Sequence, residues 1–269
     1  MATTRTALRQ WIGDTLGDYR SLTATANGST TTFIDAQNLT RQDDAIIGQT
    51  IYFTSGTNAA TERRITDNTE STGTVTFVAV TASTATSDTA ELWNDRGTGV
   101  KPSVVHAHIN RAIAAVERNY LTEVTAEFSF DGASPVTELG QGTWVGVVKG
   151  GFWEDSVGAR HRIPGADMRI DRANRTFELL GDSLWMADGR TIIITGYTAA
   201  GSLSTDASTT NVDAEYIVNQ VCAWILGSTW HKRRDSREAK AHASEFAALA
   251  AALRPAANLI PIGNTVMLA

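Results

Sequence analysis

Asp213-Ala-Glu-Tyr-Ile-Val-Asn-Gln-Val-Cys-Ala-Trp-Ile-Leu226 and Glu238-Ala-Lys-Ala-His-Ala-Ser-Glu-Phe-Ala-Ala-Leu249 are the stretches on which the reading of the fold turns. Both are rich in Ala and aromatic residues and free of Pro, so they predict helices over roughly Asp213 to Thr229 and Asp235 to Leu253. A basic hinge, His231-Lys232-Arg233-Arg234, joins them. Two helices in this order make a hairpin, a unit that needs a further partner for its apolar stripe.

Beyond the hairpin lie Arg254-Pro255 and an apolar tail. Pro255 and Pro261 prevent helix from continuing, while Leu259, Ile260, Ile262, Val266, Met267 and Leu268 are costly to leave in water. Residues 254–269 are therefore expected to form an extended docking arm. It seats on the chain's own body or on a neighbouring subunit, and the second case describes an assembly protein.

Upstream, Thr4 to Tyr19 reads as an amphipathic helix with Leu8, Trp11, Ile12, Thr15 and Tyr19 on one face. A second helix starts at Lys101-Pro102-Ser103, where the missing N–H of Pro costs nothing, and carries Val105, Ile109, Ala112, Ile113, Val116 and Tyr120 along one side. Between them, Arg20 to Trp93 turns to Thr, Ser, Gly and Ala with alternating patches such as Gln49-Thr-Ile-Tyr-Phe53 and Thr74-Val-Thr-Phe-Val78. Asn27-Gly28 between Thr-rich runs predicts a type I′ hairpin turn. Further strand-like segments fall at 127–130, 143–148, 168–170, 176–180 and 191–197, with Asp171-Arg-Ala-Asn174 as a turn and Ile192-Ile-Ile194 as a strand buried on both faces.

These elements predict an α+β protein: a helical bundle with β insertions, plus a separate small antiparallel β barrel or sandwich domain. The boundaries are a bundle helix at 1–19, an inserted β domain at 20–94, a helical bundle with a β-hairpin insertion at 95–253, and the arm at 254–269.

Composition narrows the function. The chain has 269 residues and a formal net charge of -6, which disfavours a protein devoted to gripping a phosphate backbone but suits a conduit through which DNA slides without sticking. The single Cys222 excludes a disulfide within the chain and any multi-thiol metal centre. Met1-Ala-Thr-Thr-Arg5 lacks the pattern of a signal peptide, and no apolar run approaches the ~20 residues needed to span a bilayer. Cytoplasmic synthesis, with no membrane partner, is expected.

Taken together, the 213–226 block, the basic hinge and the 238–249 block resemble the closing helices of the head-to-tail adaptor (connector, or head-completion) proteins of tailed bacteriophages. The segment Arg169-Ile-Asp-Arg-Ala-Asn-Arg-Thr-Phe-Glu-Leu179 resembles their β hairpin, and Val105 to Tyr120 a second bundle helix. The likeness lies in order and texture and omits 20–93. It implies a structural virion protein of the phage neck, made in the host bacterial cytoplasm: a homo-oligomeric, dodecameric ring beneath the portal protein. Its carboxy-terminal arm would dock on portal subunits, a tail or neck protein would sit below, and DNA would pass through its lumen without specific binding.

Competing chemistry is weak. Gly181-Asp182-Ser183-Leu184 matches the block that carries the nucleophile of one hydrolase class, yet no Asp-x-x-His follows anywhere to supply a base and its carboxylate. It reads as a turn ending a strand. His106 and His108, two apart on a helix, point to different faces, and His231 and His242 have no nearby thiol. Gly140-Gln-Gly142 and Lys149-Gly-Gly151 lack the frame of a phosphate loop. No catalytic, metal or cofactor residue is expected, and no cofactor. The hinge cluster with Arg237 is the one concentrated basic patch, for an acidic rim or for passing phosphates; the plainer reading is a solvated face with Arg234 and Glu238 paired. The alternatives to a neck adaptor are another virion accessory protein, of tail or capsid, and a hydrolase built on Ser183.

Overall fold

A computed structural model describes residues 2–40, 44–93, 100–116, 121–131, 136–138, 147–171, 176–180, 189–199, 201–229 and 236–254. In chain order the elements begin with β1 (Thr3–Thr4), α1 (Arg5–Leu16), β2 (Tyr19–Thr23), β3 (Thr32–Ile34), β4 (Thr50–Phe53), β5 (Glu62–Thr69), β6 (Thr74–Phe77), β7 (Thr89–Trp93) and α2 (Pro102–Val116). There follow β8 (Leu121–Ser129), β9 (Val136–Glu138), β10 (Val147–Glu154), β11 (Arg160–Ile163), β12 (Met168–Asp171), β13 (Thr176–Leu179), β14 (Thr191–Ala199) and β15 (Thr209–Thr210). The helices α3 (Ala214–Thr229) and α4 (Ser236–Leu253) close the chain's described part. Two compact units result, one from residues 1–115 with 201–254 and one from 116–200.

The first unit is organised by a six-stranded antiparallel sheet in the order β2-β7-β4-β5-β6-β3. Its two ends meet where Thr25 N–H donates to Ile34 O at 2.9 Å, and β5 bends at a register shift between Ile65 and Asp67, so the sheet curls around its own core. That core holds Leu22, Phe33, Ile51, Phe53, Ile65, Val75, Phe77 and Leu92, with Phe53 edge-on to both Phe33 and Phe77.

The outer face of the sheet is what overturns the expected plan. Strand residues alternate, so Ala90 and Leu92 of β7 point into the barrel while Glu91 and Trp93 point away from it, yet all four are buried. In β4, Tyr52 lies opposite Glu91 and is also buried. α1 carries Leu8, Arg9, Ile12 and Gly13 as its buried side and packs on β2 and α3, and Arg9 reaches across to Glu91. A second tie comes from β5, where Glu62 accepts from Ser103 N–H at 3.1 Å, Ser103 Oγ at 3.0 Å and Lys101 Nζ at 2.9 Å, capping α2. The sequence expectation of a helical bundle with a separate barrel or sandwich is therefore wrong. The chain is an assembly of antiparallel sheets with four helices among the described residues, and α1, α2, α3 and α4 share one unit with the 19–93 strands.

Two local expectations also change. The buried stripe of α1 is Arg5, Leu8, Arg9, Ile12 and Gly13, whereas Trp11 is 45% exposed. Asn27-Gly28 is not a type I′ turn, since neither residue has a positive φ. Instead Asn27 Oδ1 accepts from Thr86 N–H at 2.9 Å and Thr86 Oγ1 at 3.0 Å, and Gly28 N–H donates to Thr84 O at 3.0 Å, lacing two loops together. A Cβ on Gly28 would lie 2.3 Å from Thr32 O and from Thr84 Oγ1, so glycine is required for close approach.

Asp213 caps α3 by accepting from Tyr216 N–H at 2.8 Å, and α3 buries Tyr216, Ile217, Val221, Cys222 and Ile225. It packs along α4. In α2, Val105, Ile109, Ala112, Ile113 and Val116 are all buried. The amino end is pinned by β1 pairing with β15, and by Arg5 N–H and Thr6 N–H donating to Ser208 O and Asp206 O.

The second unit contains two antiparallel sheets, β11-β10-β14-β8 and β12-β13-β9. Their side chains share one core: Ala126, Ile163, Ile192 and Ile194 from the first meet Met168, Phe177 and Leu179 from the second. Ile192, Ile193 and Ile194 are each buried, as a strand covered on both faces requires. Lys149-Gly-Gly151 lies within β10 at a bulge between Val148 and Gly150; a Cβ on Gly151 would lie 2.4 Å from Met168 Sδ, so the sheets close on a residue without one.

Candidate functional site

The described residues concentrate their charge in one buried network inside the first unit. Arg9 comes from α1 on the same side as Leu8 and Ile12, which places a guanidinium against the outer face of β4 and β7. Its Nε and Nη2 donate to Glu91 Oε2 and Oε1 at 2.8 and 2.9 Å, and its Nη1 donates to Asp206 Oδ1 at 2.8 Å. The same Nη1 lies 2.9 Å from His106 Nε2, and the guanidinium sits 4.5 Å above the Tyr52 ring.

Every partner is held in turn. Glu91 also accepts from Trp93 Nε1 at 2.9 Å and Gln10 Nε2 at 3.2 Å. Asp206 accepts from Arg5 Nη2 at 2.8 Å and Arg5 Nε at 3.1 Å on one oxygen, and from Tyr52 Oη at 2.9 Å on the other. Arg5 Nη1 donates to Leu203 O and Ser204 O, and Asn110 of α2 both donates to Leu203 O and accepts from Leu203 N–H. Five segments meet here: α1, β4, β7, α2 and the stretch before β15.

Burial and charge compete at Arg9, Asp206 and Tyr52. Burial alone would lower the proton affinity of Arg9, but the hydrogen bonds and charges of Glu91 and Asp206 outweigh it and leave it raised. Burial would raise Asp206, and the hydrogen bonds from Arg9, Arg5 and Tyr52 reverse this, keeping it an anion below its ordinary range. Tyr52 is pushed up to about 12, first by burial, with Arg9 opposing and Asp206 adding. Tyr52 is thus a neutral donor. Each strong donor of the network already has an acceptor in it, so its chemistry is that of a clamp: it fixes elements and leaves no activated nucleophile.

No protein-family model and no curated protein sequence matches this chain.

Of the residues singled out from sequence, His106 belongs to the network. His108 sits apart from it, 6.0 Å from the Trp224 ring, with Arg111 4.5 Å over the same ring. His161, which the sequence reading did not single out, stacks on Trp153 at 4.1 Å and pairs with Asp155 at 2.9 Å, in the hairpin of β10 and β11. His242 lies 3.7 Å from Glu245 on α4. Cys222 is buried in α3 and its thiol is pushed up to about 12 by that burial. Among the described residues no three His, Cys, Asp or Glu are grouped to hold a metal, and no helix is long and apolar enough to cross a membrane.

Leu259, Ile260, Ile262, Val266, Met267, Leu268, Ser183 and the hinge residues His231, Lys232, Arg233 and Arg234 lie outside the described residues. Arg237 falls in α4. The sequence reading missed Arg5, Arg9, Tyr52, Glu91 and Asp206. The signal was present: Arg5 and Arg9, four apart, interrupt the Leu8–Ile12 stripe, and Glu91 interrupts the run Ala90 to Trp93. A charge inside an apolar run marks a buried pair or an exposed face, and sequence spacing does not tell these apart.

Proposed function

We propose that this chain is a structural protein of a tailed-phage virion, an adaptor ring of the neck that joins the portal to the tail and continues the DNA channel. The observation that carries the reading is the state of α4. Among its described side chains, at 239–253, only Ala239 and Ala250 are buried, and the two turns from Phe246 to Leu253 hold no charge while Leu249 is 45% exposed. A helix this exposed suits packing against other subunits. The likeness of the 213–249 sequence to the closing helices of phage adaptors supports it. So does a network in which the strongest charges serve to brace the fold.

In this reading residues 254–269 are the arm that docks on the portal through Leu259, Ile260, Ile262, Val266, Met267 and Leu268. The hinge from His231 to Arg234, with Arg237, contacts an acidic rim of the neighbouring ring or the phosphates of DNA in the channel. The net charge of -6 lets DNA pass without adhering. The test is electron microscopy of the purified protein, alone and with portal-bearing heads: rings with a central hole that cap the portal vertex are expected. A protein that stays monomeric at high concentration and leaves heads undecorated overturns the proposal.

A further inference from the structure

His106 occupies a position in the clamp that a charged ring could not share. Its Nε2 lies 2.9 Å from Arg9 Nη1 and 3.8 Å from Asp206 Oδ1, its side chain is 15% exposed, and its ring stands edge-on to Tyr52 at 5.9 Å. A guanidinium only donates, so Nε2 is the acceptor and the ring proton resides on Nδ1. The groups that act on the ring come from several segments: Arg5 and Arg9 of α1, Asp206 before β15, Glu62 of β5 and the neutral Tyr52 of β4. Glu91 of β7 is one step removed, held by Arg9.

We propose that His106 is an acid-sensitive catch: as a neutral ring it ties α2 to Arg9, and as an imidazolium it turns that hydrogen bond into a contact between cations and frees α2 from α1. Arg9 keeps its two bonds to Glu91 and its bond to Asp206 when this happens, so α1 stays clamped to the barrel strands. The release is confined to the grip on α2, which then depends on the Glu62 cap and the Asn110–Leu203 pair.

The direction of the effect follows from the same geometry. Burial first, then Arg5 and Arg9, outweigh Asp206 and Glu62 and draw the ring down from its ordinary 6.5 to about 4. An unfolded chain takes up this proton near 6.5, whereas the folded one resists until about 4. The stabilisation is therefore complete above 6.5 and disappears as pH falls from there towards 4. Carboxylates titrate in the lower part of that range too, so the test must isolate the ring.

Heteronuclear NMR of the full chain reads the ring itself. The expected result is an Nδ1–H tautomer at neutral pH and a His106 ring that protonates only well below its ordinary range. An Nε2–H tautomer, or titration at or above the ordinary value, overturns the proposal. In parallel, His106→Gln keeps an acceptor without a titrating group. Between about pH 7 and pH 4.5 the urea midpoint of the wild type is expected to fall by more than that of H106Q, and an equal fall in both overturns the proposal. Should H106Q fail to fold, the wild-type ring titration decides alone.

Discussion

Arg9 and Glu91, 82 residues apart in sequence, form a two-pronged ion pair with both side chains essentially removed from solvent, at 0% and 1% exposure. This one relationship binds the first helix to a central strand of the barrel. Taking two such charges out of water is costly, and it is offset only because Trp93, Gln10, Asp206 and Tyr52 complete the geometry.

The pair's worth should show as an asymmetry. Arg9→Ala leaves Glu91 buried without its counter-charge and is expected to cost about 3–5 kcal/mol, while R9M combined with E91L should cost clearly less than the sum of the single changes. Urea denaturation of the wild type, R9M, E91L and the double variant gives the coupling. Additive losses would show that the two side chains do not depend on each other.

Removing the barrel strands should not leave an intact helical body. A chain in which residues 21–92 are replaced by a short Gly/Ser bridge loses Tyr52, Glu91 and the Glu62 cap, and so exposes Leu8, Ile12 and Arg9 on α1. Circular dichroism on heating is expected to show a loss of cooperative melting by the helices. A sharp, wild-type-like transition in that variant would mean that the helices form a bundle of their own.

At Gly28 the constraint is steric. Gly28→Ala sets a methyl group 2.3 Å from Thr32 O, a backbone atom, so the loop must shift and the change should destabilise by about 1–3 kcal/mol. Asn27→Ala removes an acceptor at an exposed position, with a smaller expected effect. Thermal melts of the two variants rank them, and the reverse order would contradict the close packing described.

Truncation addresses the arm. Removing residues 256–269 is expected to leave the melting temperature nearly unchanged and to abolish attachment to portal-bearing heads. Co-sedimentation with heads measures this. Attachment at the wild-type level, or an unfolded truncated chain, would sink the docking-arm reading.

Period and punctuation in the sequence were enough for the helices from 102 and from 214, for the strand Ile192–Ile194 and for the alternation in 50–53 and 74–77. Each is a local property: side chains three and four apart share a helix face, side chains two apart share a strand face, and Pro102 and Asp213 mark helix starts. Which face is covered is not local. Trp11 reads as the buried side of α1, and nothing in the segments around Tyr52 and Glu91 says that their face of the sheet is covered, because polarity is the only guide within one segment. The tertiary structure decided otherwise, since bringing Arg9, Arg5, His106 and Asp206 onto that face gives the carboxylate and the hydroxyl partners that water would have supplied. The sequence by itself thus determined several of the helices and strands and the apolar stripe of α2. Only long-range pairing across as many as 201 residues, as between Arg5 and Asp206, decided that the barrel and the helices form one body.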